Sequence, residues 1–321
     1  MNYKPILIVH GEPNSVFLEI FFKSLKYKKF KNPLILICSQ KILKFQMKKL
    51  KFEKDIKLVN PLLLKKIKLD NNKINIIDVN YNNNLNFKKI SNLSNNYIEN
   101  CFETSFKILK SGITNKFING PISKNTFLNK KFLGITEYLA KKTKTNRNAM
   151  LIYNKKLSIC PITTHLPLKL VVKNITKKKI VEKIRLIDNF YKKYLGFKPN
   201  ISVLGLNPHC ESVDRFNEDE KIIRPTVKYL SKKKINVKGP YSADTAFLKK
   251  NRKNIDVIVG MYHDQVLTPI KTLYEYDAIN ITLGLPFLRI SPDHGPNEKM
   301  IGQNKSNPLS LIRAIEFLEK N

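Results

Sequence analysis

Histidine is scarce in this chain of 321 residues, with five in all. Four of the five stand in short polar stretches beside strand-like runs: His165 in "TTHLPL", His209 in "GLNPHCE", His263 in "MYHDQ" and His294 in "SPDHGP". Three imidazoles carried on separate strand ends can converge on a divalent metal and leave positions open for a substrate, as a catalytic metal requires. Imidazole suits zinc, cobalt or nickel better than a hard cation, and magnesium becomes workable when the substrate supplies oxygen. The wide separation of these histidines matches no local ligand motif, so a satisfied core or loop histidine is the competing reading of each. A second group suits an anionic substrate: Lys124 in "NGPISK", Thr136 in "GITEYLA", Lys271, Asn280 and Arg289. Arg289 is one of only seven arginines, which points to a need for a planar, bidentate donor there. Surface charge, and for Asn280 a turn role, are the plain alternatives.

These side chains must be held by a frame. Short β-branched runs ("PILIVH", "NPLILIC", "INIIDV", "AMLIY", "LKLVV", "ISVLGL", "DVIVG", "INITLGL") read as buried strands. Helix-like stretches lie between them at 16–27, 95–110, 177–194 and 219–232. Alternation of this kind implies an α/β protein with helices on both faces of a sheet. The segment "GMYHDQVLTPIK" after one such run reads as turn-like, and residues 41–95, rich in Lys and Asn, say least. The loop "HGEPNS" leads from a strand to a helix, where a phosphate could rest on the helix N-terminus. It holds a single glycine, so neither a Rossmann fingerprint nor a P-loop is present.

The formal charge of +34 invites a nucleic-acid reading, since a basic surface attracts phosphate whatever its sequence. The lysines are spread along the whole chain, and no helix-turn-helix, zinc-finger or RNA-recognition motif accompanies them, so no specific nucleic-acid partner is expected. Four scattered cysteines fit reduced thiols. No apolar run is long enough to span a bilayer, and the N-terminus lacks the features of a secretory signal. A cytoplasmic location with no membrane partner is the expectation.

The quoted motifs, together with "GPYSADTAF", "NITLGLPFLRISPDHG" and "KSNPLSLI", occur in an order that resembles the 4-hydroxythreonine-4-phosphate dehydrogenase family of pyridoxal phosphate biosynthesis. The resemblance runs from about residue 119 to the C-terminus. It implies a two-lobed α/β/α fold related to isocitrate and isopropylmalate dehydrogenases, with the active site in the cleft between lobes. Residues 1–135 plus about 270–321 would form the cofactor lobe, and about 136–269 the metal and dimer lobe. It further implies a homodimer with shared active sites, one divalent metal (Zn, Mg or Co) and NAD or NADP.

Carried over position by position, the resemblance makes His165, His209 and His263 the metal ligands and Thr136, Lys271, Asn280 and Arg289 the substrate contacts. Asp244 and Asp264 become candidates for orienting a ligand imidazole or relaying a proton. His294 and Gly295 become candidates for the cofactor. The implied reaction oxidises the secondary alcohol of 4-phosphooxy-L-threonine, after which the β-keto acid loses carbon dioxide to give 3-amino-2-oxopropyl phosphate. Two departures stand out. Ile135 occupies a position where the family usually has histidine, and "GEPNSVFLE" replaces a glycine-rich segment. Ile135 keeps open a related oxidative decarboxylase of another phosphorylated hydroxy acid, such as threonate or erythronate 4-phosphate, and the basic charge keeps open a non-catalytic or nucleic-acid-associated protein.

Overall fold

The structure, a computed structural model, describes residues 3–83, 89–129, 131–132, 134–213, 216–292 and 294–321. The chain divides into two compact units, Met1–Ile135 with Pro286–Asn321, and Thr136–Leu285. Residues 270–285 therefore group with the second unit. In chain order the strands are β1 (Ile6–Val9), β2 (Leu34–Cys38), β3 (Ile56–Leu58), β4 (Ile74–Asp78), β5 (Lys116–Asn119), β6 (Ala149–Tyr153) and β7 (Ser158–Pro161). They continue with β8 (Ile201–Leu204), β9 (Val237–Tyr241), β10 (Val257–Gly260), β11 (Ile279–Leu283) and β12 (Leu288–Pro292).

In the first unit the described strands lie in the order β3-β4-β2-β1-β5-β12, and every pair is parallel. Strands buried on both faces carry continuous apolar runs, and "ILIV" of β1 and "LILIC" of β2 are fully buried. Helix Asn95–Lys110 packs on β1 and β2. It buries Ile98, Cys101, Phe102, Ser105 and Phe106 along one stripe, the spacing an amphipathic helix requires. Phe102, Phe106, Phe117 and Phe287 form an aromatic cluster with centroid separations of 5.6–6.5 Å. Each fully buried ring of this kind stabilises the fold by about 2–3 kcal/mol through area removed from water.

In the second unit the order is β11-β6-β7-β10-β8-β9. The β7, β10, β8 and β9 strands run parallel, while β6 is antiparallel to both β7 and β11. Helix Lys177–Phe190 starts at Thr176, whose side chain accepts the Lys179 N–H at 3.3 Å, and buries Ile180, Ile184 and Ile187. After β11 the chain turns at Gly284 with φ +91°, where an added Cβ would lie 2.1 Å from the Arg147 carbonyl oxygen. Gly284→Ala combines left-handed strain with a backbone clash. It is expected to lower stability by more than about 2 kcal/mol, read as a fall in the thermal midpoint.

Two sequence expectations fail here. "LKLVV" is not a strand but the start of helix Leu168–Asn174, in which only Val171 is buried. Its run of apolar letters therefore marks an exposed surface rather than a core strand. The "turn-like" segment after β10 is helix His263–Tyr274, with Pro269 inside it and Val266 and Ile270 turned into the core.

Candidate metal and substrate site

Ligands of open α/β sheets gather at the carboxyl ends of the strands. In the second unit β7, β10 and β8 are adjacent and parallel, and the loops leaving their carboxyl ends carry His165, His263 and His209 respectively. The β7 and β10 loops stay paired beyond the strands. Ile162 N donates to Gly260 O at 2.7 Å, and Thr163 donates to Met261 O through its N–H (3.1 Å) and its hydroxyl (2.8 Å). This zipper brings the His165 and His263 rings to 5.6 Å between centroids. His165 has φ +44° and His209 has φ +56°, a region that non-glycine residues enter at a cost of about 1–2 kcal/mol and that clusters at functional sites.

His263 opens its helix, and its Nδ1 lies 2.6 Å from Asp264 Oδ1. A carboxylate on one ring nitrogen fixes the tautomer and leaves the other nitrogen as the free donor, as in metal sites. Asp244 stands exposed on the short helix Ala243–Ala246. His209 sits exposed in the turn Pro208–Cys210. Among the described residues of one chain, no group of three or more His, Cys, Asp or Glu side chains is gathered so as to hold a metal. Two imidazoles in contact, one of them oriented by a carboxylate, fit a divalent metal in donor type, and the third expected ligand stands apart from them.

The expected substrate contacts of this unit fall on neighbouring elements. Thr136 lies in the first turn of helix Ile135–Lys142, and its hydroxyl is 3.4 Å from that of Thr282. Thr282 and Asn280 share one face of β11, and the Asn280 side-chain oxygen is buried with no hydrogen-bond partner among the described residues. Thr282 escaped the sequence reading, although the two-residue period of "NIT" puts it beside Asn280. Lys271 lies two turns into the helix that His263 begins and is half-buried. Lys124 is exposed in a turn.

The first unit holds the remaining residues. Arg289 in β12 is fully buried, and its Nε donates to Asn119 Oδ1 at 2.7 Å. His294 Nδ1 lies 3.0 Å from Gly295 O. A Cβ at Gly295 would meet no atom of the described residues beyond its chain neighbours within 4 Å. The "HGEPNS" loop is not a phosphate seat. His10, Glu12 and Ser15 are fully buried, Ser15 Oγ accepts the Phe17 N–H at 3.4 Å, and Val16 N donates to Pro296 O at 3.1 Å. Burial lowers the His10 pKa to about 3 and raises that of Glu12 to about 7, so a neutral imidazole and a shifted carboxyl fill the space.

The profile of the family described as "Pyridoxal phosphate biosynthetic protein PdxA" matches residues 29–318. The chain belongs to this family. The match to the PdxA family begins well before residue 119 and takes in the lysine- and asparagine-rich stretch at 41–95. A 4-hydroxythreonine-4-phosphate dehydrogenase from Sulfurihydrogenibium sp. is 38% identical, covering 97% of this chain and 96% of its own. A D-threonate 4-phosphate dehydrogenase from Pectobacterium atrosepticum is 33% identical, with 68% of each chain covered. The solved structure of a putative 4-hydroxythreonine-4-phosphate dehydrogenase from Salmonella typhimurium superposes with a TM-score of 0.85 at 27% identity, covering 99% of both chains. The α/β architecture expected from the sequence is that of this PdxA relative.

Proposed function

We propose that this member of the PdxA family oxidises 4-phosphooxy-L-threonine with NAD or NADP, and that the β-keto acid so formed loses carbon dioxide to give 3-amino-2-oxopropyl phosphate. The observation that carries the reading is the His165–His263 contact at the carboxyl ends of β7 and β10, in a chain 38% identical to a dehydrogenase of that name. In that oxidation a bound nicotinamide would take hydride from the alcohol carbon while the hydroxyl proton leaves, so that the substrate gives up two electrons. A divalent metal (Zn, Mg or Co) bound by His165, His209 and His263 would act as a Lewis acid on the alcohol and on the ketone it becomes. Asp264 holds the His263 ring in one tautomer, and Asp244, exposed and earlier in the chain, remains the second acid to test. The buried, unpartnered oxygen of Asn280 suits an ammonium or hydroxyl donor of the substrate. Thr136, Lys271 and Arg289 serve its phosphate and carboxylate. His294 and Gly295 belong to the cofactor side.

The working form in this reading is a cytoplasmic homodimer with shared sites. Exposed apolar side chains of the second unit flank the loops of His165 and His209: Leu168, Leu170, Val172, Val213, Phe216 and Tyr241. Exposed apolar side chains of this kind suit an interface with a second copy, which would complete the site around His165, His209 and His263.

The identity to a D-threonate 4-phosphate dehydrogenase, with Ile135 where a polar contact is usual, favours one rival substrate, a sugar-acid phosphate without the amine. Initial rates of NADH formation with each substrate separate the two. Turnover of 4-phosphooxy-L-threonine at a kcat/KM at least tenfold above that for D-threonate 4-phosphate is the expected outcome, and the reverse order would replace the first reading with the second.

A further inference from the structure

His209 is presented by a turn whose conformation is unfavourable in itself. Its φ of +56° is followed by +63° at Cys210, and two consecutive left-handed residues that are not glycine cost about 1–2 kcal/mol each. Something must hold the turn. Asp219, fully buried, opens the helical turn Asp219–Ile223. Its Oδ1 accepts the Leu206 N–H at 2.8 Å, and its Oδ2 accepts both the Asn207 N–H and the Asn207 side-chain N–H at 3.0 Å. The carboxylate thus takes three donors from the two residues that lead into Pro208 and His209.

The turn is gripped from its other side by Gln265. Its Nε2 donates to Gly205 O at 2.8 Å and its Oε1 accepts the Met261 N–H at 2.6 Å. One side chain therefore joins the loop that carries His209 to the loop that carries His263. Gly205 makes the close approach possible, because a Cβ there would lie 2.7 Å from both Asp219 Oδ1 and Cys210 Sγ. A carboxylate removed from water is costly unless its hydrogen bonds repay it, so a buried acid serving only this turn implies a task for the turn.

We propose that Asp219 and Gln265 are positioning residues that fix the direction from which His209 reaches a divalent metal. The inference rests on the reading of His209 as a ligand. The side-chain hydrogen bonds of both go to the loops that carry His209 and His263. In Asp219→Asn one acceptor becomes an N–H2 facing backbone donors, and in Gln265→Ala the bridge between the two loops is lost.

The test titrates Co2+ into the full-length, chelator-stripped dimer and reads the visible spectrum and the dissociation constant by chelator competition. Asp219→Asn is expected to weaken Co2+ binding about 10–100-fold, the usual effect of removing a partner behind a ligand, and to alter the band shape that reports coordination geometry. Asp219→Glu, which keeps both acceptor oxygens, should recover most of the affinity. A residue needed only for stability would lower the thermal midpoint and leave the spectrum of the folded protein unchanged. Parental affinity and spectrum in folded Asp219→Asn and Gln265→Ala, with binding lost in His209→Ala, would overturn the inference and leave the ligand reading intact. Parental binding in His209→Ala itself would overturn both. Should Asp219→Asn not fold, Gln265→Ala decides alone.

Discussion

Replacing His263 with Ala is expected to abolish metal retention and to reduce kcat by about a thousandfold. Strand β10 delivers His263 to the first position of a helix, against the His165 ring at 5.6 Å and with Asp264 on its Nδ1 at 2.6 Å. Lewis-acid stabilisation of developing charge is worth several kcal/mol, and about 4 kcal/mol corresponds to about three powers of ten in rate. His165→Ala and His209→Ala should do the same, because the proposed ligand set would act as a unit whose losses do not add. Asp264→Asn should do far less, since the exposed Asp264 only orients the ring and water can take its place. Metal analysis of the purified proteins and single-turnover NADH formation check both statements. A His263→Ala enzyme that keeps full metal content and parental kcat would remove the histidines from the mechanism.

Much of this frame was legible in the letters, for a physical reason. Parallel strands buried on both faces must be apolar throughout, so β1, β2, β8 and β10 appear as short β-branched runs whose ends fall within a residue or two of the expected ones. The failures occur where composition and burial part company. The apolar "LKLVV" suggested a core strand, yet Leu168, Leu170 and Val172 are exposed and the segment is helical. Pro269 hid the helix of His263, although the spacing of Val266 and Ile270 already carried its period. The candidate histidines were singled out because histidine is rare here and strand ends are where sites form, and the family resemblance chose His165, His209 and His263 among them. The grip of Asp219 on the 205–209 turn was not legible, since a buried aspartate and a surface one are the same letter until the donors around it are known.

Glu12→Gln is expected to remove most of a stability loss that the parent protein suffers between about pH 5 and pH 8. Glu12 is fully buried in the β1 loop, and burial raises its pKa to about 7, with the charge of Glu298 adding to the shift. The Asn14 N–H and the Ser94 hydroxyl favour the carboxylate, but they do not outweigh the loss of water. The sign follows from linkage. An unfolded carboxyl titrates near 4.3, so between the two pKa values the folded chain holds a proton that the unfolded chain has released. The contribution of this group is complete below the unfolded value and is lost as pH rises through about 7. At one unit for each 1.36 kcal/mol the full span is about 4 kcal/mol. Glutamine keeps the size and the hydrogen bonds of the protonated acid and cannot ionise, so its variant should match the parent at pH 4.5 and exceed it at pH 8. Urea denaturation at both values, followed by circular dichroism, reads the difference; profiles that run parallel would show that Glu12 is not protonated in the fold. The same ionisation bears on the proposed cofactor side. Val16 N holds Pro296 O at 3.1 Å, so a charge forced onto Glu12 repels Glu298 across the contact that ties the β1 loop to the segment after His294 and Gly295. The KM for the nicotinamide cofactor should therefore rise above pH 7 in the parent and stay flatter in Glu12→Gln.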